Sequence, residues 1–332
     1  MSLLSVQDLC VHFPTVGRDD TGKPVVVKAV DGVSFDVQRG RTLAIVGESG
    51  SGKTTTALAV LRLVEATSGS IQFDGQDLLA QRGAALRRMR RHLQLVFQDP
   101  YSSLNPRQRA GDIVRSPLDL MHIDPPEGRE ARVARMFELV GLHPEQRHLF
   151  PHQFSGGQRQ RLNVARAMAS APDLIVCDEP VSALDIAIRA QILNLLRRIQ
   201  REQNQSFLFI SHDMAVVEHI CDDIAVMYLG KIIERASRRA FFTRPLHPYS
   251  VALMSAVPTV KGGREHAAKR IRLTGDPPSP VNPPPGCRFA GRCPVAQARC
   301  HREEPLLREV TPEHSVACHF VGVRDGALAA PL

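Results

Sequence analysis

Two stretches of this chain carry residue types at spacings that could do chemistry on phosphates. The first is Gly47-Glu48-Ser49-Gly50-Ser51-Gly52-Lys53-Thr54, followed directly by Thr55. A glycine-rich loop leaves successive backbone N–H groups free to wrap a phosphate chain, and a helix N-terminus adds its positive dipole end. In that pattern Lys53 reaches the β/γ-phosphates and the Thr54 hydroxyl ligates Mg²⁺. The second stretch is Ser155-Gly156-Gly157-Gln158, opening a helix through Val164, Ala165 and Met168. A hydroxyl, backbone donors and a helix dipole make another anion cradle, although the same residues would also serve as an ordinary cap.

Acidic and polar groups sit where they could complete a hydrolytic site. Asp178-Glu179 ends the apolar run Leu174-Ile175-Val176-Cys177. Adjacent acids at a strand end are costly unless a cation or a reaction uses them. Asp178 suits the Mg²⁺ sphere, and Glu179 suits taking a proton from attacking water. Gln98 follows the run Leu93 to Phe97 and could touch Mg²⁺ or position water, or simply lie in a loop. His212 follows Phe207-Leu208-Phe209-Ile210 and could reach a γ-phosphate. Asp185 closes the segment Ser182-Ala183-Leu184-Asp185. Phe13 could stack on a base or fill the core.

The elements that must hold these groups are legible as alternating strands and helices. Leu43-Ala44-Ile45-Val46 reads as a buried strand before the first loop, and residues 55–61 as the helix after it. Residues 3–13, 25–27, 33–35 and 70–73 read as further strands, with Thr15 to Pro24 a loop. Basic residues Arg87, Arg88, Arg90 and Arg91 suit the wet face of a helix. From 108 to 150 the period turns helical, with Val133, Met136, Phe137 and Val140 on one face. This predicts an α/β core with a helical insertion at about 99–160.

Composition limits the class. The 332 residues leave room for about two domains. No apolar run reaches the ~20 residues of a membrane span, and the N-terminus lacks a signal-peptide pattern. Those features predict a cytosolic protein. The charge of +8 suits nucleotide or an anionic membrane surface, and equally plain solvation. Tryptophan is absent and aromatics are few, which argues against a nucleic-acid stacking platform.

In order along the chain, these motifs resemble the ATP-binding subunit of ABC transporters: Walker A at 47–54, Q-loop Gln98, signature 155–158, Walker B at 174–179, D-loop 182–185 and H-loop His212. Phe154 stands where the signature usually has leucine. The resemblance implies a P-loop NTPase core with an antiparallel β subdomain over 1–255 and a C-terminal extension over 256–332. It implies ATP and Mg²⁺ as ligands, with Mg²⁺ held by Thr54, Gln98 and Asp178. It also implies that the signature and Asp185 act on a nucleotide held by a partner's Walker A. Asp99-Pro100-Tyr101-Ser102-Ser103-Leu104-Asn105-Pro106-Arg107, Leu246-His247-Pro248-Tyr249 and the prolines at 277–285 are similar to the oligopeptide/dipeptide importers, nearer their F-type ATPase. Such a subunit works on the cytoplasmic face of the inner membrane. Its partners are a second, non-identical ATPase, two permeases and an extracytoplasmic peptide-binding protein. Nickel and glutathione importers share these motifs, and a soluble ABC ATPase outside transport is a further alternative.

Four of the seven cysteines, Cys287, Cys293, Cys300 and Cys318, lie in the tail. A cytosolic location argues against disulfides. Structural zinc usually has ligand pairs spaced two to four residues apart, closer than these. Four thiolates are the usual set for a [4Fe–4S] centre, and some ATPases of the resembled subgroup carry one in this tail. A structural cluster remote from ATP, zinc, or four core thiols are the readings open here, with Arg288 and Arg292 placed to offset thiolate charge.

Overall fold

The computed structural model describes residues 2–18, 24–257, 271–281, 283–324 and 327–329. The chain divides into two compact units that interleave in sequence. The first comprises Met1–Leu4, Val37–Thr42 and Gln72–Ile210; the second comprises Ser5–Asp36, Leu43–Ile71 and Ser211–Leu332. The glycine-rich loop and the cysteine tail therefore belong to the same unit.

In the first unit, strands Leu93–Val96, Leu174–Asp178 and Ser206–Ser211 pair in parallel. Their residues are mostly apolar and mostly buried, as expected of a parallel sheet covered on both faces. Side chains at their C-terminal ends then share one edge. The predicted helical insertion forms helices Ala110–Leu120, Arg129–Leu139 and Gly156–Ala169. Val133, Met136, Phe137 and Val140 are buried, so their common face is a packing stripe. Arg115 bridges Asp119 and Glu130, joining the first two of these helices on their wet side.

In the second unit, Leu43–Val46 pairs in parallel with Asp223–Val226. Strand Asp223–Tyr228 turns back at Leu229-Gly230 into antiparallel Lys231–Ser237, and tail strand His314–Val316 pairs with the outer edge of that strand. Ser2–Arg18 lies between Pro24–Gln38 and Ser68–Phe73 in a separate sheet. Two expectations change here. Thr15 to Arg18 continues a strand rather than opening a loop, and 25–27 and 33–35 belong to one strand. The rest of that expected loop, 19–23, lies outside the described residues, as does the expected tail start at Pro258. Residues 271–281 run without helix or strand, as their prolines require. Among the described residues, no helix is long and apolar enough to cross a membrane.

Candidate functional site

The glycine-rich loop joins the buried strand Thr42–Val46 to helix Lys53–Val60, the strand-loop-helix context the motif needs. Gly52 has φ +104, and a Cβ there would sit 2.2 Å from the Ala29 carbonyl oxygen, so only glycine fits. The buried Lys53 ammonium donates to the carbonyls of Gly47 (2.9 Å) and Glu48 (2.8 Å). Ser49, Gly50 and Thr54 are exposed, Ser51 is buried, and Thr55 is half-buried. Phe13 is 40% exposed, which leaves a surface aromatic and removes the core reading.

Glu179 follows its strand directly, in the left-handed region at φ +46. An L-residue with a Cβ is held there at a cost of order 1–3 kcal/mol, a cost that clusters at functional sites. Its N–H donates to the Ile210 carbonyl (3.0 Å) across the parallel pair. Gln98 Nε2 donates to Glu179 Oε2 (3.1 Å), so two groups predicted separately from sequence are in direct contact. Asp178 ends the strand half-buried. His212 is exposed just past strand Ser206–Ser211, and the Asp213 carboxylate caps the next helix by accepting from Ala215 and Val216 N–H.

Beyond Gln98, Asp99 accepts from Tyr101 N–H (2.8 Å) and Ser102 N–H (3.3 Å), which tightens the loop. Those N–H donors hold the Asp99 carboxyl below the usual range, solvent exposure notwithstanding. Ser103 Oγ pairs with the Asn163 amide, and Arg166 donates to the Ser103 carbonyl (2.7 Å). Arg159 stacks over Tyr101 at 4.1 Å. This loop is thus fastened to helix Gly156–Ala169 by three of that helix's side chains.

Ser155 caps that helix in a reciprocal box. Its hydroxyl accepts from Gln158 N–H (3.3 Å), while Gln158 Oε1 accepts from Ser155 N–H (2.9 Å). The Gln158 side chain is therefore engaged in capping. A Cβ on Gly157 would lie 2.6 Å from Ile188 Cγ2, so any larger residue there forces the Ile188 side chain to shift. A Cβ on Gly156 would touch Leu184 and Tyr101 at ordinary distance. The signature thus packs beside the segment that ends in Asp185, an exposed residue at the N-terminus of helix Ile186–Gln203. Arg189 holds that segment by donating to the carbonyls of Leu184 (2.7 Å) and Ser182 (3.2 Å).

In the tail, Cys287, Cys293, Cys300 and Cys318 all line one small cavity with His247, Phe289 and Phe320. Burial, followed by the neighbouring thiols, pushes Cys287 up to about 11. Burial likewise raises Cys293 and Cys318. Backbone N–H groups of Phe289, Val295, Phe320 and Val321 oppose that rise. Arg288 and Arg292 do not face the thiols as expected. Arg288 pairs with Asp31, and Arg292 pairs with Glu48. Burial opposes ionisation of Asp31, but Arg288, His12 and Lys28 together outweigh it and the carboxyl stays below its ordinary value. The cysteine turn is consequently not remote from the phosphate loop, contrary to expectation.

The ABC transporter family matches residues 30–182, and the C-terminal region of oligopeptide/dipeptide transporters matches residues 233–300. The chain is 46% identical over 320 residues to the oligopeptide transport ATP-binding protein AppF of Bacillus subtilis (strain 168), covering 96% of this chain and 97% of that one. The chain belongs to the ABC transporter family. This ABC family chain is also 48% identical over 316 residues to a putative peptide import ATP-binding protein of Brucella ovis, covering 95% of this chain and 97% of the relative. Among solved structures, the dimeric post-hydrolysis ATP-binding cassette MJ0796 with ADP and Pi matches at TM-score 0.62 and 25% identity. That match covers 71% of this chain and 99% of that one. The cbiO1 cassette from Clostridium perfringens shares the fold at TM-score 0.64 and 24% identity, over 81% of this chain and 99% of that one. The α/β architecture is that of the ABC ATPase cassettes.

Within this ABC transporter chain, sequence reasoning missed the roles of Tyr249, Glu234 and Arg292. The Tyr249 hydroxyl accepts from Glu48 N–H (2.8 Å). Glu234 is fully buried and accepts from Leu246 N–H, His247 N–H and His314 Nε2 at 2.7–2.8 Å. The Leu246-His247-Pro248-Tyr249 run was visible as a motif, but its partners lie elsewhere in the chain.

Proposed function

We propose that this chain binds ATP with Mg²⁺ at residues 47–55 and hydrolyses it to power peptide import across the cytoplasmic membrane. The observation that carries the chemistry is Glu179, strained at a strand end with Gln98 donating to its carboxylate. In this reading Glu179 takes the proton of the water that attacks the γ-phosphate, and Gln98 orients the carboxylate and the water. Lys53 and the loop N–H groups stabilise the phosphate oxygens. Thr54, Gln98 and Asp178 would hold Mg²⁺, which neutralises phosphate charge when bound. His212 contacts the γ-phosphate, and Phe13 stacks on the base. Ser155, Gly156, Gly157, Gln158 and Asp185 act on the nucleotide of a paired ATPase; the dimeric state of MJ0796 supports such pairing.

Peptides are the favoured cargo over nickel or glutathione, because the relatives are named for oligopeptide transport and peptide import. The partners are a non-identical ATPase, two permeases and an extracytoplasmic peptide-binding protein, with this chain peripheral on the cytoplasmic face. The test is ATP hydrolysis by the complete complex in vesicles. Di- or oligopeptides with the binding protein should stimulate it, and stimulation by nickel or glutathione instead would reject the peptide reading.

The tail cysteines are assigned to a [4Fe–4S] centre. Four sulfurs facing one cavity, with backbone N–H groups aimed at three of them, fit a thiolate cluster. Tetrahedral zinc at about 2.3 Å per sulfur brings sulfurs to about 3.8 Å of one another. Among the described residues, the only trio of such ligands within 4.8 Å is Cys10, His12 and Asp31. The tail sulfurs form no such close trio among the described residues, which supports the reading of a larger centre over zinc. Anaerobically purified protein should contain about four iron and four sulfide per chain. Stoichiometric zinc without sulfide would replace the assignment.

A further inference from the structure

The turn from Cys287 to Cys293 closes on itself: Ala290 N–H donates to the Cys287 carbonyl (3.0 Å), and Cys293 N–H to the Ala290 carbonyl (3.4 Å). Arg292 ends the single helical turn between the two cysteines. Its side chain, 9% exposed, reaches Glu48 in the middle of the phosphate loop. Nη1 donates to Glu48 Oε2 (2.8 Å) and Nη2 to Oε1 (3.2 Å), a bidentate pair across 244 residues of sequence.

Glu48 has all three of its polar groups committed. Its N–H goes to the Tyr249 hydroxyl, its carbonyl takes Lys53, and its carboxylate takes Arg292. Two of those three partners follow the cassette motifs in sequence. Tyr249 is itself held in an edge-to-face trio with Tyr228 and Phe289, at centroid distances of 4.8–5.5 Å. Phe289 belongs to the same cysteine turn. Arg288, also on that turn, donates to the Leu229 carbonyl and to Asp31. The next residue, Gly230, donates its N–H to the Ser51 carbonyl of the phosphate loop (2.8 Å). The cysteine turn therefore grips the loop at Glu48 directly and at Ser51 through one intermediary.

A loop rich in glycine loses much conformational freedom when its N–H groups must converge on a phosphate. A partly buried bidentate ion pair on one of its residues removes part of that freedom beforehand. We propose that Arg292 is a positioning residue for the phosphate loop, and that the four-cysteine centre sets nucleotide affinity by fixing the turn that carries it. This rests on the reading of the loop as the ATP site.

The test uses the full chain with its native metal content and equilibrium binding of a fluorescent ATP analogue with Mg²⁺. Arg292→Ala and Glu48→Gln should each weaken binding roughly ten-fold, as loss of a partly buried charge-assisted pair does. The double variant should be no weaker than the worse single, and Arg292→Lys should recover part of the loss. Turnover of the Arg292→Ala chain at saturating ATP should stay within about two-fold, because Arg292 lies outside the loop and acts on binding rather than on the proton transfer. Cys318→Ser lies outside the 287–293 turn and removes one of the four thiols assigned to the centre. It should weaken binding in the same direction, with Arg292→Ala adding little to it.

Unchanged affinity with a lowered melting temperature in Arg292→Ala would make the contact a plain structural ion pair. Additive losses in the double variant would also overturn the proposal. A Cys318→Ser chain that binds like wild type severs the centre from the loop and overturns that half. If that variant does not fold, wild-type protein stripped by a chelator gives the same comparison with the same two outcomes. Failure of the unmodified chain to bind the analogue would instead reject the ATP reading itself.

Discussion

At Glu179 two demands meet in one residue: a carboxylate positioned for proton transfer and a backbone held at φ +46. Nothing in its side chain prefers that conformation, so the strand pairing and the Glu179 N–H bond to Ile210 must impose it. Glu179→Gln keeps the shape while removing the basic oxygen. ATP affinity should persist while turnover falls about a hundred-fold or more, the usual size of lost general-base assistance. Lys53→Ala removes the cation that lies against the Gly47 and Glu48 carbonyls, and should weaken binding itself. Measuring nucleotide affinity and single-turnover rates for both variants separates the roles. Near-normal turnover in Glu179→Gln would reassign the base.

Elements explain why some sequence expectations carried through and others did not. The helix opening at Gly156 was legible because Ser155 and Gln158 form a local capping box. The reason for glycine at 157 was not, because Ile188 approaches from a different helix. Gly157→Ala should therefore lower stability by about 1–3 kcal/mol through overpacking. Ile188→Ala in the same chain should restore the melting temperature. If the Gly157 backbone also meets a partner's nucleotide, turnover of the assembled pair should stay impaired after that rescue. Similarly, Gln98 and Glu179 were each predictable from strand ends, whereas their 3.1 Å contact depends on parallel pairing that no local pattern encodes.

A second element-scale case is the buried loop 246–249. His247 Nδ1 accepts from Tyr249 N–H (3.1 Å), which requires an unprotonated nitrogen, and burial lowers its pKa to about 4 despite the attraction of Glu234. The unfolded chain, near the ordinary 6.5, then binds more protons below that value. This contribution is fully present above pH 6.5 and is lost as pH falls toward 4, on the order of 3 kcal/mol. His247→Asn keeps the cap acceptor without titrating. Thermal unfolding of the two chains between pH 7 and 4 should diverge, with the wild type losing more. Parallel curves would show that His247 does not dominate the acid limb.

At the scale of the whole chain, the tail belongs structurally to the unit that holds the phosphate loop, although about two hundred residues separate them in sequence. Its strand His314–Val316 extends the sheet at Lys231–Ser237. His314 completes the hydrogen bonds of buried Glu234, and Phe289 packs on Tyr228 and Tyr249. Removing 258–332 would expose that strand edge and strip one partner from a buried carboxylate. A lost partner at such a site typically costs about 1–3 kcal/mol, and an open edge invites pairing between chains. A chain ended at Val257 should therefore melt at least several degrees lower, associate in solution and bind ATP weakly, because Arg292 and Phe289 leave with the tail. The measurement is a melting curve, sedimentation and nucleotide binding on truncated and full chains side by side. A truncated chain that stays monomeric, melts with the full one and binds ATP equally would make the tail an independent appendage. That outcome is incompatible with the contacts at Glu48 and Glu234 stabilising the fold and the phosphate loop.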